Sequence, residues 1–422
     1  MDHPPTDNPS RRFAADVAAR LRDAGHVALF AGGCVRDELL GQTPKDYDVA
    51  TDATPDRVRE IFGKRRTLAV GAAFGVIIVL PPKDSSSRYG GDAEQVEVAT
   101  FRTEGPYTDG RRPDGVVFAT PEEDARRRDF TINGLFMDPA TGEVIDHVGG
   151  RDDLNAGVIR AIGDPRARMT EDKLRLLRAV RFAARMNFEI DPATADAIKA
   201  MADQITVVSG ERIGDEIKKM LAAPNRRQAV EILTELRLFK ILFPEAIAPD
   251  KVALDYLERI PGNRFESVLA ALLSEFMPHP VPSDTLRFPE RKAGDVEPVR
   301  QIAKRLRLSN DESDRLAWLV SRLSLPGRED LPLATRRRLC THSDAPLLSQ
   351  IALIDHADLP AHLTAPLPDP LLDGSDLIAL GLTPGPAFTA ILDDVRDAQL
   401  EGELNSKEDA VAFIKNKSKP ER

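Results

Sequence analysis

The chain has 422 residues, 42% of them hydrophobic and 30% charged, and its 58 Lys and Arg against 68 Asp and Glu leave a formal charge of −10. That composition excludes a collagen, a wholly disordered chain and a membrane bundle. No apolar run approaches the ~18 residues of a spanning helix, the start MDHPPTDNPSRRF has no apolar leader core, and Cys34 and Cys340 have no CxxC neighbour, so we expect a cytoplasmic protein without a membrane partner.

At ~100–200 residues per domain the length predicts two to four domains. The first 26 residues hold a polar start and one helix, Phe13 to Ala24, stopped by Gly25. From Val27 the pattern changes to short runs rich in Val, Ile and Phe: VALFAGG, YDVAT, TLAVG, FGVIIVL and QVEVATF, which predict strands. Between the first two lies VRDELLG, and after the second TPDRVREIFG, both with helical spacing and a Gly stop. The result is an α/β unit with one small sheet. Two polar stretches, PPKDSSSRYGGDAEQ and TEGPYTDGRRPDGV, read as loops, the second long enough to be a moving element. Beyond Val158 nearly all periodicity is helical, broken between about Pro278 and Pro298 and again at LPAHLTAPLPDPLLDG.

The chemistry begins at GGCVRD, Gly32 to Asp37. Two glycines between a strand and a helix let backbone amides approach a phosphate, and Arg36 adds a fork of donors. A GG turn alone is more often only a tight connection, and it fits neither GxGxxG nor GxxxxGK[ST]. The next segment, KDYDVAT, sharpens it. Asp46 and Asp48, two apart on a strand, share one side, and two carboxylates that close call for a cation; hard oxygen donors beside phosphates suit Mg²⁺. Glu97 in QVEVATF supplies a third acid, although a lone Glu in a strand is more often solvent-facing. Three carboxylates with a phosphate turn point to in-line displacement at phosphorus, that is, nucleotidyl transfer.

Net negative charge opposes nucleic-acid binding, yet from Arg160 to Arg185 eight basic residues stand against three acidic ones. Arg175, Arg178, Arg181 and Arg185 form one helical stripe beside an apolar one of Leu174, Leu177, Val180 and Ala184. Asp172, one turn before Arg175, completes an acceptor with a fork of donors that could pair with a base edge; an ordinary i,i+3 ion pair is the plain alternative.

Taken in order, GGCVRD, KDYDVAT, RRRDFTINGLF at Arg126 to Phe136, GVIRAIGDPRARMTEDKLRLLRAVRFAAR at Gly157 to Arg185 and SGERIGDEIKKML from Ser209 resemble the class II tRNA nucleotidyltransferase and bacterial poly(A) polymerase family, the CCA-adding enzymes. The end, DGSDLIALGLTPGPAFTAILDDVRDAQLEGEL, resembles their tail, whereas residues 245 to 365 match no motif. The resemblance implies an α+β head with a polymerase-β-like nucleotidyltransferase palm, followed by an all-α neck, body and tail. On this chain that gives 1–26 as extension and helix, 27–145 as head, 146–222 as neck with the nucleotide-selecting element, 223–298 as body and 299–422 as body and tail.

By the same resemblance Asp46 and Asp48 bind Mg²⁺, and Glu97 is the third catalytic carboxylate. Gly32, Gly33 and Arg36 hold the triphosphate; Arg128 and Asp129 of the RRD motif contact phosphate and ribose, with Asn133 on the same segment. Asp172 and Arg175 select ATP or CTP without a nucleic-acid template, on a helix continued by Arg178 and Arg181. The implied activity is addition of CCA to the acceptor end of tRNA from CTP and ATP, with release of pyrophosphate. Within the family, LAVGAAFGVIIV has Ala72 and Ala73 where the polymerases carry two basic residues, and TEGPYTDGRRPDGV supplies Arg111 and Arg112 in the loop that CC-adding enzymes lack. Full CCA addition is the expectation, with A addition to CC-ended tRNA and then poly(A) synthesis as alternatives. His356 in IDHADLPAH lacks the spaced partners of an HD phosphohydrolase, so no such activity is expected; His147 reads as structural and Trp318 as core.

Overall fold

A computed structural model describes residues 8–71, 75–82, 93–104, 116–274, 296–323, 329–353, 358–385 and 387–417. Ala72, Ala73, most of the 81–95 insertion, Arg111, Arg112 and His356 lie outside the described residues. The chain divides into two compact units, Met1–Ser209 with Ile232–Ile241, and Gly210–Glu231 with Leu242–Arg422.

The first unit opens with α1 (Pro9–Asp23), one turn earlier than its apolar spacing suggested. Asn8 caps it by accepting from the Ser10 and Arg11 amides, and Pro9 fits the first turn, where no amide is needed. Its face of Phe13, Ala14, Val17, Ala18 and Leu21 is buried against the sheet. Then follow β1 (Ala28–Ala31), α2 (Gly33–Leu39), β2 (Asp48–Thr51), α3 (Pro55–Phe62), β3 (Thr67–Gly71), β4 (Val76–Val79) and β5 (Val96–Thr100). A small pair, β6 (Arg102–Glu104) and β7 (Val116–Phe118), leads into α4 (Pro121–Arg126), and β8 (Leu135–Met137) and β9 (Val144–Asp146) complete the strands of the head. The seven-stranded sheet runs β3-β4-β5-β2-β1-β8-β9. Every pairing in it is antiparallel except β2 with β5, which sets Asp48 opposite Glu97. A parallel pair cannot be closed by a hairpin, so the chain must leave β2 and return through α3, β3 and β4 before β5 can join it.

Helices dominate from there: α5 (Gly150–Ala156), the short β10 (Val158–Ile159), α6 (Pro165–Glu171), α7 (Arg175–Met186), β11 (Glu189–Ile190) and α8 (Pro192–Met201). The second unit is helical among the described residues. It contains α9 (Gly210–Leu221), part of α10 (Arg226–Glu235) and of α11 (Leu238–Leu242), then α12 (Lys251–Arg259), α13 (Phe265–Ser274), α14 (Glu297–Arg305) and α15 (Asn310–Val320). It ends with α16 (Leu333–Thr341), α17 (Ala345–Ile351), α18 (Ala361–Thr364), α19 (Gly374–Ala379), α20 (Ala387–Leu400) and α21 (Lys407–Lys417). The glycines of the SGERIG segment are explained by packing. A Cβ on Gly210 would lie 2.0 Å from the Arg305 carbonyl oxygen, and one on Gly214 2.2 Å from that of Leu306, so α9 lies hard against the end of α14. Trp318 packs its ring flat on His342 at 4.0 Å, and His147 is on the surface.

Candidate active site

One cleft of about 550 Å³ in the first unit is lined by Gly32, Gly33, Arg36, Asp46, Asp48, Arg127, Arg128, Asp129, Asn133, Asp172, Arg175, Arg178, Arg181 and Phe182. The residues come from the β1–α2 turn, the entry to β2, the segment after α4, and the α6–α7 junction with α7. Sequence reading had singled out all of them but Arg127 and Phe182. Glu97 is exposed on β5 and does not line the cleft; it stands beside it through its pairing with Asp48.

Gly32 has φ +70°, which a side chain resists, and an added Cβ would approach Arg128 Nη1 to 2.7 Å. Both constraints demand glycine and keep the turn's backbone open to the cleft. Arg36 lines the cleft and is also braced from within. Its Nε and Nη2 donate to Asp37 Oδ1 at 2.8 and 2.6 Å, and its Nη1 to Asn133 Oδ1 at 2.6 Å, so three of the five guanidinium protons are committed inside the protein. Arg36 is 3% exposed and acts first as a brace between α2 and Asn133.

Strand β2 begins at Asp48, so Asp46 lies in the bend just before it instead of within the strand. The alternation survives: Asp46 is exposed, Tyr47 buried and Asp48 partly exposed. Tyr47 is held by its hydroxyl donating to Glu38 Oε1 at 2.8 Å. Burial, then the neighbouring charges of Glu97 and Asp46, push the Asp48 carboxyl up to about 7, against the pull of Arg128. Among the described residues no three His, Cys, Asp or Glu side chains converge tightly enough to hold an ion alone. The donors are nevertheless hard carboxylate oxygens whose mutual repulsion a divalent cation would relieve, with phosphate oxygens able to complete its shell. The residues present therefore fit a divalent metal.

Behind these acids, Asp124 anchors two arginines. Its Oδ1 accepts from Arg127 Nη2 at 2.7 Å and its Oδ2 from Arg128 Nη2 at 2.9 Å. Arg128 also donates to the Asn133 carbonyl at 3.1 Å and lies over the Phe136 ring. Asp129 is buried, which opposes its ionisation, yet Arg178 (Nε 2.8 Å from Oδ2), the Asn133 amide (3.0 Å) and the Phe130 N–H (2.8 Å) outweigh that and hold its carboxyl down at about 2.

The segment expected as one helix is broken at Asp172. There the backbone is extended (φ −144°, ψ 107°), and α6 ends as α7 begins three residues on. Asp172 makes the break itself: its Oδ1 accepts from Leu174 N at 3.0 Å and its carbonyl from Arg175 N at 3.0 Å, local bonds that compete with the helix. The acid four residues before Arg175, Glu171, takes Nη1 at 2.5 Å; Nη1 also reaches the Arg168 carbonyl and Nη2 that of Arg127. Asp172 and Arg175 thus reach the cleft wall from a kink, with the guanidinium plane clamped. Sequence reading missed Phe182, whose ring lies under Arg181 at 4.2 Å and under Arg36 and Arg178 at 5.2 Å each. The signal was present as a phenylalanine directly after Arg181, within the arginine stripe.

Residues 28–160 match the family Poly A polymerase head domain, and residues 187–248 the family Probable RNA and SrmB-binding site of polymerase A. The chain is 33% identical over 404 residues to the CCA-adding enzyme of Lactobacillus helveticus, covering 94% of this chain and 95% of that one. It is 44% identical over 242 residues to poly(A) polymerase I of Salmonella typhi, covering 55% of this chain and 50% of that one. Among solved structures, the Bacillus stearothermophilus CCA-adding enzyme in complex with CTP superposes with a TM-score of 0.70 at 26% identity, over 97% of this chain and 98% of that one. With a likeness that runs nearly end to end and a head built around a cleft of carboxylates and arginines, the chain belongs to the CCA-adding enzymes, the tRNA nucleotidyltransferases related to the bacterial poly(A) polymerases.

Proposed function

We propose that the head cleft is where this tRNA nucleotidyltransferase adds the 3′-terminal CCA from CTP and ATP, without a template and with release of pyrophosphate. The observation that carries the reading is that the Gly32-Gly33 turn, the acids Asp46 and Asp48, and the kink bearing Asp172 and Arg175 all line one cleft. Phosphate, reacting atom and base each find a matching surface there.

The triphosphate lies along the Gly32-Gly33 backbone, with Arg128 and Arg178 countering its charge, and the ribose beside Asp129 and Asn133. The 3′-hydroxyl oxygen of the tRNA attacks the α-phosphorus. A new P–O bond forms as the hydroxyl proton is given up to solvent, the bond from the α-phosphorus to the bridging oxygen breaks, and pyrophosphate leaves in line. Asp46 and Asp48, with Glu97 as third acid, would hold Mg²⁺, which when bound would neutralise charge on the attacking and leaving oxygens. The base edge explains the choice of nucleotide. Cytosine and adenine both present an amino donor beside a ring-nitrogen acceptor, which a carboxylate beside a guanidinium complements; uracil and guanine reverse the pattern.

Residues 27–145 would then carry the transfer and 146–222 the selection, while the helices of 223–298 and 299–422 grip the tRNA by shape and phosphate contact. The proposed place of action is the cytoplasm, with no phosphohydrolase activity of the HD type. The test is incorporation of each of the four nucleotides with Mg²⁺ into tRNA transcripts ending before CCA, after C and after CC, resolved to one nucleotide. Addition of C, C and A followed by a stop is expected. A added only to the CC-ended transcript would make the chain an A-adding enzyme, and unlimited A addition a poly(A) polymerase.

A further inference from the structure

Two charged residues that do not line the cleft hold its wall together. Asp37 lies at the back of α2, with its side chain 9% exposed, and its two oxygens are divided between partners. Oδ1 takes both Nε and Nη2 of Arg36, and Oδ2 takes Nη2 of Arg185 at 3.0 Å. Arg185 sits at the end of α7, seven residues after Arg178. From Arg36 the chain of bonds continues to Asn133, from Asn133 to Asp129, and from Asp129 to Arg178, which returns it to α7. Six side chains thereby form a closed circuit with the helix as its last link, and Arg36, Arg178 and Arg181 of the same wall all lie over the Phe182 ring.

We propose that Asp37 and Arg185 are positioning residues for nucleotide recognition: their contact fixes α7 against the phosphate turn and thereby sets the pose of Arg36, Asn133, Asp129 and Arg178 in the cleft. Neither touches the nucleotide. The inference rests on the cleft's being the nucleotide site. The physical reason is the geometry of the bonds. With Nε and Nη2 both on one carboxylate oxygen, Arg36 has its guanidinium plane fixed, and only then does Nη1 meet the Asn133 oxygen at 2.6 Å. That bond in turn sets which way the Asn133 amide faces, and so its donation to Asp129. Arg185 has its side chain 46% exposed, so on packing alone it should be dispensable.

The experiment compares Arg185→Gln, Arg185→Lys, Asp37→Asn and the Asp37→Asn/Arg185→Gln double variant. Each is measured for kcat and KM with CTP and with ATP, for CTP and ATP binding by calorimetry without tRNA, and for thermal midpoint. Arg185→Gln is expected to raise KM and Kd for both nucleotides about fivefold with kcat within about twofold, and Arg185→Lys to recover most of that. The double variant should be no worse than Asp37→Asn alone, because one contact is lost once. Loss of thermal stability with Kd unchanged, or losses that multiply in the double variant, would overturn the proposal. Should Asp37→Asn fail to fold, the Arg185 pair still decides the matter by its binding constants. Calorimetry also separates the two readings: a wild type that binds nucleotides but transfers none refutes the transfer assignment and leaves the positioning test standing.

Discussion

Asp48 stands directly across from Glu97 where β2 and β5 run parallel, and Asp46 stands two residues before it on the same side of the chain. Burial and these two acids raise the Asp48 carboxyl to about 7 from 3.8. A raised carboxyl destabilises the fold once it ionises: the penalty is absent below the unfolded value near 4, grows as pH rises, and is complete above 7. Metal-free wild type should therefore lose stability from pH 4 to 8, by the order of 2 kcal/mol after allowance for solvent at the cleft wall. Asp48→Asn should escape that loss, and added Mg²⁺ should raise the wild-type melting midpoint at pH 8 but not the variant's. Calorimetric melts with and without chelator check this; identical pH profiles would remove the carboxylate crowding from the account.

The same substitution should abolish transfer of both C and A while leaving tRNA affinity within about twofold. Gel shift and single-nucleotide incorporation are the measurements. Residual turnover above a tenth of wild type would take the metal role away from Asp48.

Gly32→Ala combines a strained φ with a Cβ 2.7 Å from Arg128 Nη1, the far end of a flexible side chain. Arg128 must then move off its bonds to Asp124 and the Asn133 carbonyl. We expect KM for CTP and ATP to rise at least about tenfold, with a lower melting midpoint from backbone strain of ~1–3 kcal/mol. Unchanged KM would mean the turn does not meet the triphosphate.

Arg175→Ala should disturb the choice between CTP and ATP more than tRNA binding. Glu171→Gln should do the same in milder form, because Glu171 clamps the guanidinium. Rates of C and A addition on matched transcripts give the ratio. If both nucleotides slow equally, base reading lies elsewhere.

Asp129→Asn removes the buried charge and turns one of the two accepting oxygens into an amide donor facing Arg178 or the Asn133 amide, at a cost of roughly 3 kcal/mol at pH 7. The carboxyl is held at about 2, below its ordinary value, so its contribution is present above pH 4 and fades as pH falls through 2. Chemical denaturation of wild type and variant should thus converge on acidification. A gap that persists at pH 2 would show that packing, not charge, is what the substitution removes.

The five strand runs and two short helices of the head were legible because alternation and glycine stops agreed, as at TLAVG, which is β3 residue for residue. β8 and β9 were not: Leu135–Met137 is three residues of unbroken apolar character, a length at which strand and helix patterns coincide. The break at Asp172 escaped because Asp172 stands at helical i,i+3 spacing before Arg175, and only the side chain's bond to Leu174 N interrupts the backbone. In the site, residue types and their phosphate, metal and base surfaces could be read from spacing and resemblance. Who holds whom could not. That Asp37 and Asn133 brace Arg36 is visible only in the structure, and Glu171 gains its hold on Arg175 only across the kink.

The closed circuit through α2, the Asp129–Asn133 segment and α7 makes those elements poor candidates for separate exchange between relatives. A chimera that took its glycine turn from one enzyme and its arginine helix from another would join half-networks shaped for different partners, although each half kept every motif residue. Nucleotide preference in such hybrids should follow the matched set and not the donor of the helix alone. Recombination that respects this linkage would cut outside residues 32 and 185, carrying the whole ring as one inherited block.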